Sequence, residues 1–557
     1  MKLPETHHHL HEAQKLASAL MDQIPQVQSF KGKWALVKTK IATLPNQLRV
    51  LSDSPNFSTT PLAFELVQSV AQTLSETLIL VAKCLNPTPA DGKLRTQSDI
   101  DSVSAKLDQH VKDIELLINS RVLQESSSLG GDSESASSKQ DAVRVEARNL
   151  ITRLQIGNSE SRNSAMDSLL GLLYEDDKSV LIAVDQGVVP VLVNLLDSSS
   201  VEIKEKAVSA ISRVSIVGSG KHLLVVEGAL LITHLLRILD SRNGFAREKA
   251  CIALQALSFS EENARLIGCR GGIVSLLEIC QSGTPYSQAY AAGTLRNLSG
   301  FSEISKYFIE ENAIPVLVGV AASGTFIAQG NAIECLSNLV SKDESLKFII
   351  AQEGGIQCLK IFWDAAPMVQ SLEVAIELFT KLASCRSIGE ALLCEGFLPK
   401  FRGLLNCGVA NVRIAAAGAV YELGFSSKTR KEIGDAGIIP PLISMLDAKA
   451  VEEKEIAAKT LSSLMLYAGN RKIFVKEEKA IECTVQLLDH SENDLDKKYL
   501  ISILYSIVNS TRARKQIVDA GALAHLLKLM EVHVDGAKKL YESLRRNNTW
   551  SVFARRK

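Results

Sequence analysis

Residues 436–446 read A-G-I-I-P-P-L-I-S-M-L and are followed by Asp447. The same sentence returns as G-V-V-P-V-L-V-N-L-L from Gly187, G-G-I-V-S-L-L-E-I-C from Gly271 and N-A-I-P-V-L-V-G-V-A from Asn312. Further copies start at Gly354, Gly396, Lys479 and Gly521, and a slightly stretched one starts at Gly228. The anchors stand at 187, 228, 271, 312, 354, 396, 437, 479 and 521, so every spacing is 41 to 43 residues. A fixed period of this size marks a stack of helical repeats, in which no single unit can bury its own apolar face.

Each unit has three parts. A short helix comes first, as at residues 470–475 (N-R-K-I-F-V) or 430–433 (R-K-E-I). The glycine after most of these helices suits a left-handed turn at a helix C-terminus. Pro190, Pro315, Pro399 and Pro440 are then expected at the first position of the second helix, where a missing N–H costs nothing. That helix is strongly apolar, with Leu442, Ile443, Met445 and Leu446 as the example. The third helix is rich in alanine and leucine, as at residues 289–299 and 415–424. Counting back one period from Gly187 places a degenerate first copy near Val145, with residues 146–154 as its second helix and 164–174 as its third. The expectation is an all-α solenoid of about ten repeats over residues 141–557, its terminal copies atypical because each has one neighbour.

Residues 1–122 carry no copy of the repeat but four amphipathic stripes. Leu10, Ala13, Leu16, Ala17, Leu20 and Ile24 form the first; Trp34, Val37, Ile41, Leu44, Leu48 and Leu51 the second. Leu62, Leu66, Val70, Leu74, Leu78 and Val81 form the third; Ile100, Val103, Leu107, Val111, Ile114 and Leu117 the fourth. Thr60 and Pro61 predict the start of the third helix, and Ser98 with Asp101 a capping box for the fourth. Pro45 is expected to kink the second. Four such helices make a small bundle. Residues 123–140 follow as a serine-rich flexible linker, because S-S-S-L-G-G-D-S-E-S-A-S-S-K has too little apolar surface to order itself.

Composition narrows the function classes. The 62 basic and 62 acidic residues cancel, so no nucleic-acid partner is expected. The ten cysteines show no CxxC pair and are read as reduced core thiols, Cys251, Cys335 and Cys358 among them, of a cytoplasmic or nuclear protein. No apolar run is long enough to span a membrane, and Lys2 stands where N-myristoylation needs glycine. His7 and His11 have metal-ligand spacing, but no partner motif accompanies them, so no metal and no cofactor are expected. Gly218-Ser219-Gly220-Lys221 lacks the first glycine and the Ser/Thr of a phosphate loop and is read as a turn between repeats. Residues 492–496 are read as a solvated loop. The C-terminal Lys538, Lys539, Arg545, Arg546, Arg555, Arg556 and Lys557, with Trp550 and Phe553, are read as a basic cap and tail and as the one route to a membrane surface.

The pattern G-x-I-P-x-L-x-x-L-L followed by A-A-x-x-L-x-N-L-S resembles the armadillo repeat, with HEAT repeats the nearest alternative. The glycine-proline turn and the short first helix favour armadillo. The resemblance implies a right-handed superhelix of three-helix repeats whose third helices line a concave groove. The helices ahead of the repeats also resemble plant armadillo proteins related to the plant U-box ligases, but the serine-rich linker stands where those carry the U-box. Ligase activity of its own is therefore not expected; a substrate-recognising accessory to a ligase is the alternative to the scaffold reading below. A resemblance to the vacuolar armadillo protein of yeast lacks that protein's lipidation motif.

In importin α and β-catenin an asparagine of the third helix hydrogen-bonds an extended peptide. The matching positions here are Gly171, Arg213, Ala256, Asn297, Asn338, Lys381, Glu422, Ser463 and Ser506. Asn297 and Asn338 keep the asparagine, whose amide both donates and accepts. Arg213, Arg296 and Lys381 are expected to meet acidic groups of a partner, and Glu422 opposes them. The implied function is a non-enzymatic protein-interaction scaffold that takes partner proteins or extended peptides along its concave face, with these six residues in the groove.

Overall fold

The computed structural model describes residues 3–87, 92–120, 122–124, 136–489 and 495–545, which are helical throughout and contain no strand among the described residues. It divides into two compact units, Met1–Leu266 and Ile267–Lys557.

The first unit opens with α1 (Leu3–Gln23), α2 (Lys31–Ser52), α3 (Pro61–Lys83) and α4 (Lys93–Asn119). Each carries one of the four stripes, and Leu20, Trp34, Ile41, Leu48, Leu74, Ile100, Leu107 and Ile114 meet in one core. The polar edge is as regular as the core. Lys33 pairs with Asp101 at 2.6 Å, Lys40 with Asp108 at 2.5 Å, and Gln47 donates to Glu115 at 2.9 Å. Both sets step by seven in the same direction, so α2 and α4 run parallel in the register of a two-helix heptad seam. This pairing corrects the expected capping box. Gly92 stands at the N-cap of α4, Ser98 and Asp101 lie inside the helix, and Asp101 turns to Lys33 instead. Thr60 does precede α3, yet its hydroxyl donates to the Asn56 carbonyl at 2.7 Å and caps nothing. The helix α2 runs on through Pro45.

Next come α5 (Ala136–Ile156) and α6 (Ser159–Glu175), the first repeat. It has two helices, and α5 begins inside the stretch read as linker; residues 125–135 of that stretch lie outside the described residues. The bundle rests on this repeat. The last helix of the bundle packs on α5, and Ile156 joins the bundle core. Repeats 2 and 3 complete the unit, with third helices Val201–Ile216 and Gly244–Leu257. Gly218 opens the helix Gly218–Val226, so the Gly-Ser-Gly-Lys stretch is a helical first turn and not a loop.

The second unit holds most of repeats 4–10. Its third helices are Pro285–Ser299, Phe326–Lys342, Glu373–Ala383, Ala410–Leu423, Val451–Leu464 and Lys497–Ile507, and Ala537–Arg545 closes the tenth repeat. The basic residues Lys538, Lys539 and Arg545 lie on that last helix, whereas Arg546, Trp550, Phe553, Arg555, Arg556 and Lys557 lie outside the described residues, as do 490–494. Six of the seven anchors of this unit make the left-handed turn, and Lys479, at φ −93°, does not; nor does Gly228 in the first unit. Gly271, Gly354, Gly396, Gly437 and Gly521 have φ between 75° and 96°, and Asn312 takes the same region at 48°. Pro315, Pro399 and Pro440 sit at the second or third helical position, not the first, and Pro190 does the same in the first unit. All remain in the opening turn, where the N–H has no intrahelical partner.

Side chains also lock one repeat to the next. Asn470 is buried and donates to the carbonyls of Arg430 and Leu464 at 2.8 and 3.0 Å. A Cβ at Gly434 would stand 1.9 Å from its Oδ1, so only glycine admits this clasp. Trp363, Phe379, Phe397 and Phe401 form an edge-to-face cluster between repeats 6 and 7. All ten cysteines are free. Cys84, Cys251, Cys280, Cys335 and Cys358 are buried as expected, but Cys269 and Cys394, each the last residue of a short first helix, are exposed. Among the described residues no single helix is long and apolar enough to cross a membrane.

His110 of α4 is buried in the bundle, its Nε2 within 2.9 Å of the Thr73 hydroxyl. Burial, aided by the Lys106 charge, lowers its pKa from 6.5 to about 4. The unfolded chain therefore binds the extra proton first, and stability present above pH 6.5 is lost as the pH falls toward 4. Asp113, held above its ordinary value by burial, works in the opposite sense. The expected loss is about 3 kcal/mol over that window. Thermal melting across pH 7.5 to 4.5 should show a steep fall that His110→Gln flattens.

Candidate functional site

The third helices carry all six residues named above, each of them half-buried. Arg213 lies on Val201–Ile216 in the first unit. Its Nε donates to the Leu173 carbonyl at 2.9 Å and one terminal nitrogen to Asp177 at 2.6 Å, with the Tyr174 ring 6.0 Å away. The guanidinium is engaged within its own unit, tying repeat 2 to the end of repeat 1.

In the second unit, Arg296 and Asn297 lie on Pro285–Ser299 and Asn338 on Phe326–Lys342. Arg296 donates to Asn297 Oδ1 at 3.0 Å and to Asn331 Oδ1 at 2.9 Å, and stands 3.7 Å from Glu334. Asn331 in turn donates to the Ala289 carbonyl at 3.0 Å. Asn338 turns its amide nitrogen toward the Ser299 hydroxyl at 3.1 Å and the Arg296 carbonyl at 3.4 Å. Lys381, on Glu373–Ala383, reaches the Ser337 hydroxyl and carbonyl at 2.7 and 3.1 Å and Glu377 at 2.5 Å. Glu422, half-buried on Ala410–Leu423, makes no hydrogen bond or ion pair with another described residue.

A common geometry emerges at three ladder positions. Arg213, Asn338 and Lys381 each hydrogen-bond a backbone carbonyl of the preceding third helix. The Leu173 and Arg296 carbonyls belong to the last turns of their helices, beyond the reach of the helix's own N–H ladder, and that of Arg296 also accepts from the Ser299 hydroxyl at 2.7 Å. The expectation that Arg213, Arg296 and Lys381 wait for acidic partner groups is corrected here: each already has an acidic neighbour and a cross-repeat role. Asn331 was missed by sequence reasoning. It lies seven residues before Asn338, hence on the same helical face, and that spacing was the available signal.

Elsewhere, a cavity of about 280 Å³ between repeats 7 and 8 is lined by Cys407, Met445, Arg413 and Glu453. Its polar groups are spent on one another: Glu453 is buried and holds Arg413 through both oxygens, at 2.5 and 2.9 Å. No nucleophile–base pair or phosphate cradle lines it.

The clasp yields a direct contrast. Asn331→Ala should remove its bond to the Ala289 carbonyl, which keeps its helical donor, and release Arg296, costing about 1–3 kcal/mol for the two hydrogen bonds. Glu422→Gln should change stability by no more than about 0.5 kcal/mol. Urea denaturation of the full chain followed by circular dichroism measures both.

The comparisons with known proteins agree with this architecture. Residues 176–216, which hold repeat 2, match the family described as armadillo/β-catenin-like repeat. Residues 10–122, which hold the bundle, match a family described as a domain of unknown function, DUF7032. No curated protein matches the chain. Among solved structures, the crystal structure of an engineered protein aligns with a TM-score of 0.62 at 24% identity, over 72% of this chain and 98% of that chain. That likeness concerns the fold alone. The matches indicate no catalytic family and do not bear on kinship with the plant U-box ligases. The chain is an all-α armadillo-like repeat protein with a helical bundle ahead of its repeats.

Proposed function

We propose that the chain is a non-enzymatic scaffold that takes up an extended segment of a partner protein along the exposed face of its third helices. One observation carries this reading. Tyr286, Ile327 and Met368 are 41 residues apart, stand at the start of three successive third-helix segments, and are 72%, 68% and 63% exposed. Large apolar side chains left in water at one register of the repeat have no part in holding the repeats together. Asn297 and Asn338 lie eleven residues further along the same helices as Tyr286 and Ile327, three turns on and on the same face.

The spacing suggests the partner's pattern. Packed helices lie about 8–10 Å apart. A polyproline II segment rises about 3.1 Å per residue with three residues per turn, so every third side chain faces the same way and meets the next rung about 9 Å on. A segment with apolar side chains at i, i+3 and i+6 would match Tyr286, Ile327 and Met368. The Asn338 carbonyl oxygen and the Glu422 carboxylate are the polar groups of the original six that this reading leaves for the partner. The ten free thiols support a reducing, cytoplasmic or nuclear location. Service as a substrate-recognising accessory to a ligase would use the same surface.

Phage-displayed peptides selected on the full chain test the proposal. Enriched sequences should show apolar residues at i, i+3 and i+6. Tyr286→Asp with Ile327→Asp should weaken them by about 30-fold or more, the loss of a hot spot, with far-UV dichroism unchanged. Peptides without that spacing, or equal binding to the double variant, would overturn it.

A further inference from the structure

At the other end of the sequence, the structure regroups the histidines of α1. The i, i+4 pair His7 and His11 does not close on a common point. His7 is drawn to the Ser58 hydroxyl at 2.8 Å and packs on the edge of Phe57. His8, His9 and Glu12 converge instead, each offering one donor atom within 4.8 Å of the other two.

Three features build this cluster. Leu10 and Ala13 are buried in the bundle, which sets the rotation of the helix and turns His8 and Glu12, one turn apart, outward together. The His9 ring stands edge-on to Phe64 of α3 at 5.6 Å. Its Nδ1 lies 3.2 Å from Glu12 Oε2, so the imidazole and the carboxylate already share one locus. His8 completes the group, its ring 5.6 Å from that of His9.

We propose that His8, His9 and Glu12 bind a divalent transition metal of the zinc class. Two imidazole nitrogens and one carboxylate oxygen are a donor set that such ions prefer over calcium or magnesium, which take oxygen ligands. Ligand atoms of a tetrahedral zinc lie closer together than 4.8 Å, so the ion draws them in by side-chain rotation, which the exposure of His8 and Glu12 permits. Three protein ligands leave a coordination position for water or for a donor from a partner. Binding weakens in acid, since imidazole must be neutral to coordinate. This proposal is independent of the third-helix surface.

The test uses the full chain free of any polyhistidine tag, titrated with Zn²⁺ against a chromophoric chelator. One ion per chain is expected. His8→Gln with His9→Gln, and separately Glu12→Gln, should each weaken it by at least about 10-fold, as loss of a ligand costs no less than loss of an outer-shell partner. His11→Gln should leave it unchanged. Co²⁺ should give visible d–d bands without a thiolate charge-transfer band. Undiminished affinity in the His8/His9 variant, a thiolate band from the exposed Cys269 or Cys394, or no tight site at all would overturn the assignment. Circular dichroism confirms that each variant keeps its helices; His8, His11 and Glu12 are exposed, and His9 is half-buried beside Phe64.

Discussion

Successive third helices must come close, and much else in the repeat region follows from that. Their packed faces are small: Ala291, Ala292 and Ala332 in repeats 4 and 5, Ala416, Ala417, Ala457 and Ala458 in repeats 7 and 8. At such distances a side chain of one helix can reach the backbone of the previous one. Asn331 reaches the Ala289 carbonyl, Asn338 that of Arg296, Lys381 that of Ser337 and Thr460 that of Ala417. The Ala289, Ser337 and Ala417 carbonyls lie inside their helices and already accept from the helix's own N–H groups, so these contacts are second bonds to one oxygen, and each ties one repeat to the next for about 0.5–1.5 kcal/mol.

That constraint reshapes the functional face. Positions where related folds present an amide to a peptide are here partly turned inward. Under the proposed scaffold function, polar contact with a partner would fall to the few groups not used this way, and the exposed apolar side chains at the start of the third helices would carry more of the contact. The bundle follows a different rule. Its helices pair by a seven-residue seam of Lys33, Lys40 and Gln47 with Asp101, Asp108 and Glu115, and it lies on the first repeat through α4 and α5.

Much of the architecture was legible in the chain. The period of the anchors, the glycine turns and the four stripes depend on local conformation and on apolar spacing, which are properties of short segments. The errors also have a common cause. Ser98 with Asp101 matched a local capping pattern, but Asp101 had a better partner in Lys33, 68 residues away. Arg213 and Lys381 looked available because their partners, Leu173 and Ser337, lie one whole repeat back.

The sequence by itself determined that this is a stack of three-helix repeats behind a helical bundle, because turn geometry and the periodic burial of leucine and alanine act within each repeat. Only the tertiary structure decided which polar side chains are spent on neighbours and which are not. That choice is made between residues about forty positions apart, by the close approach of helices, and no local pattern encodes it.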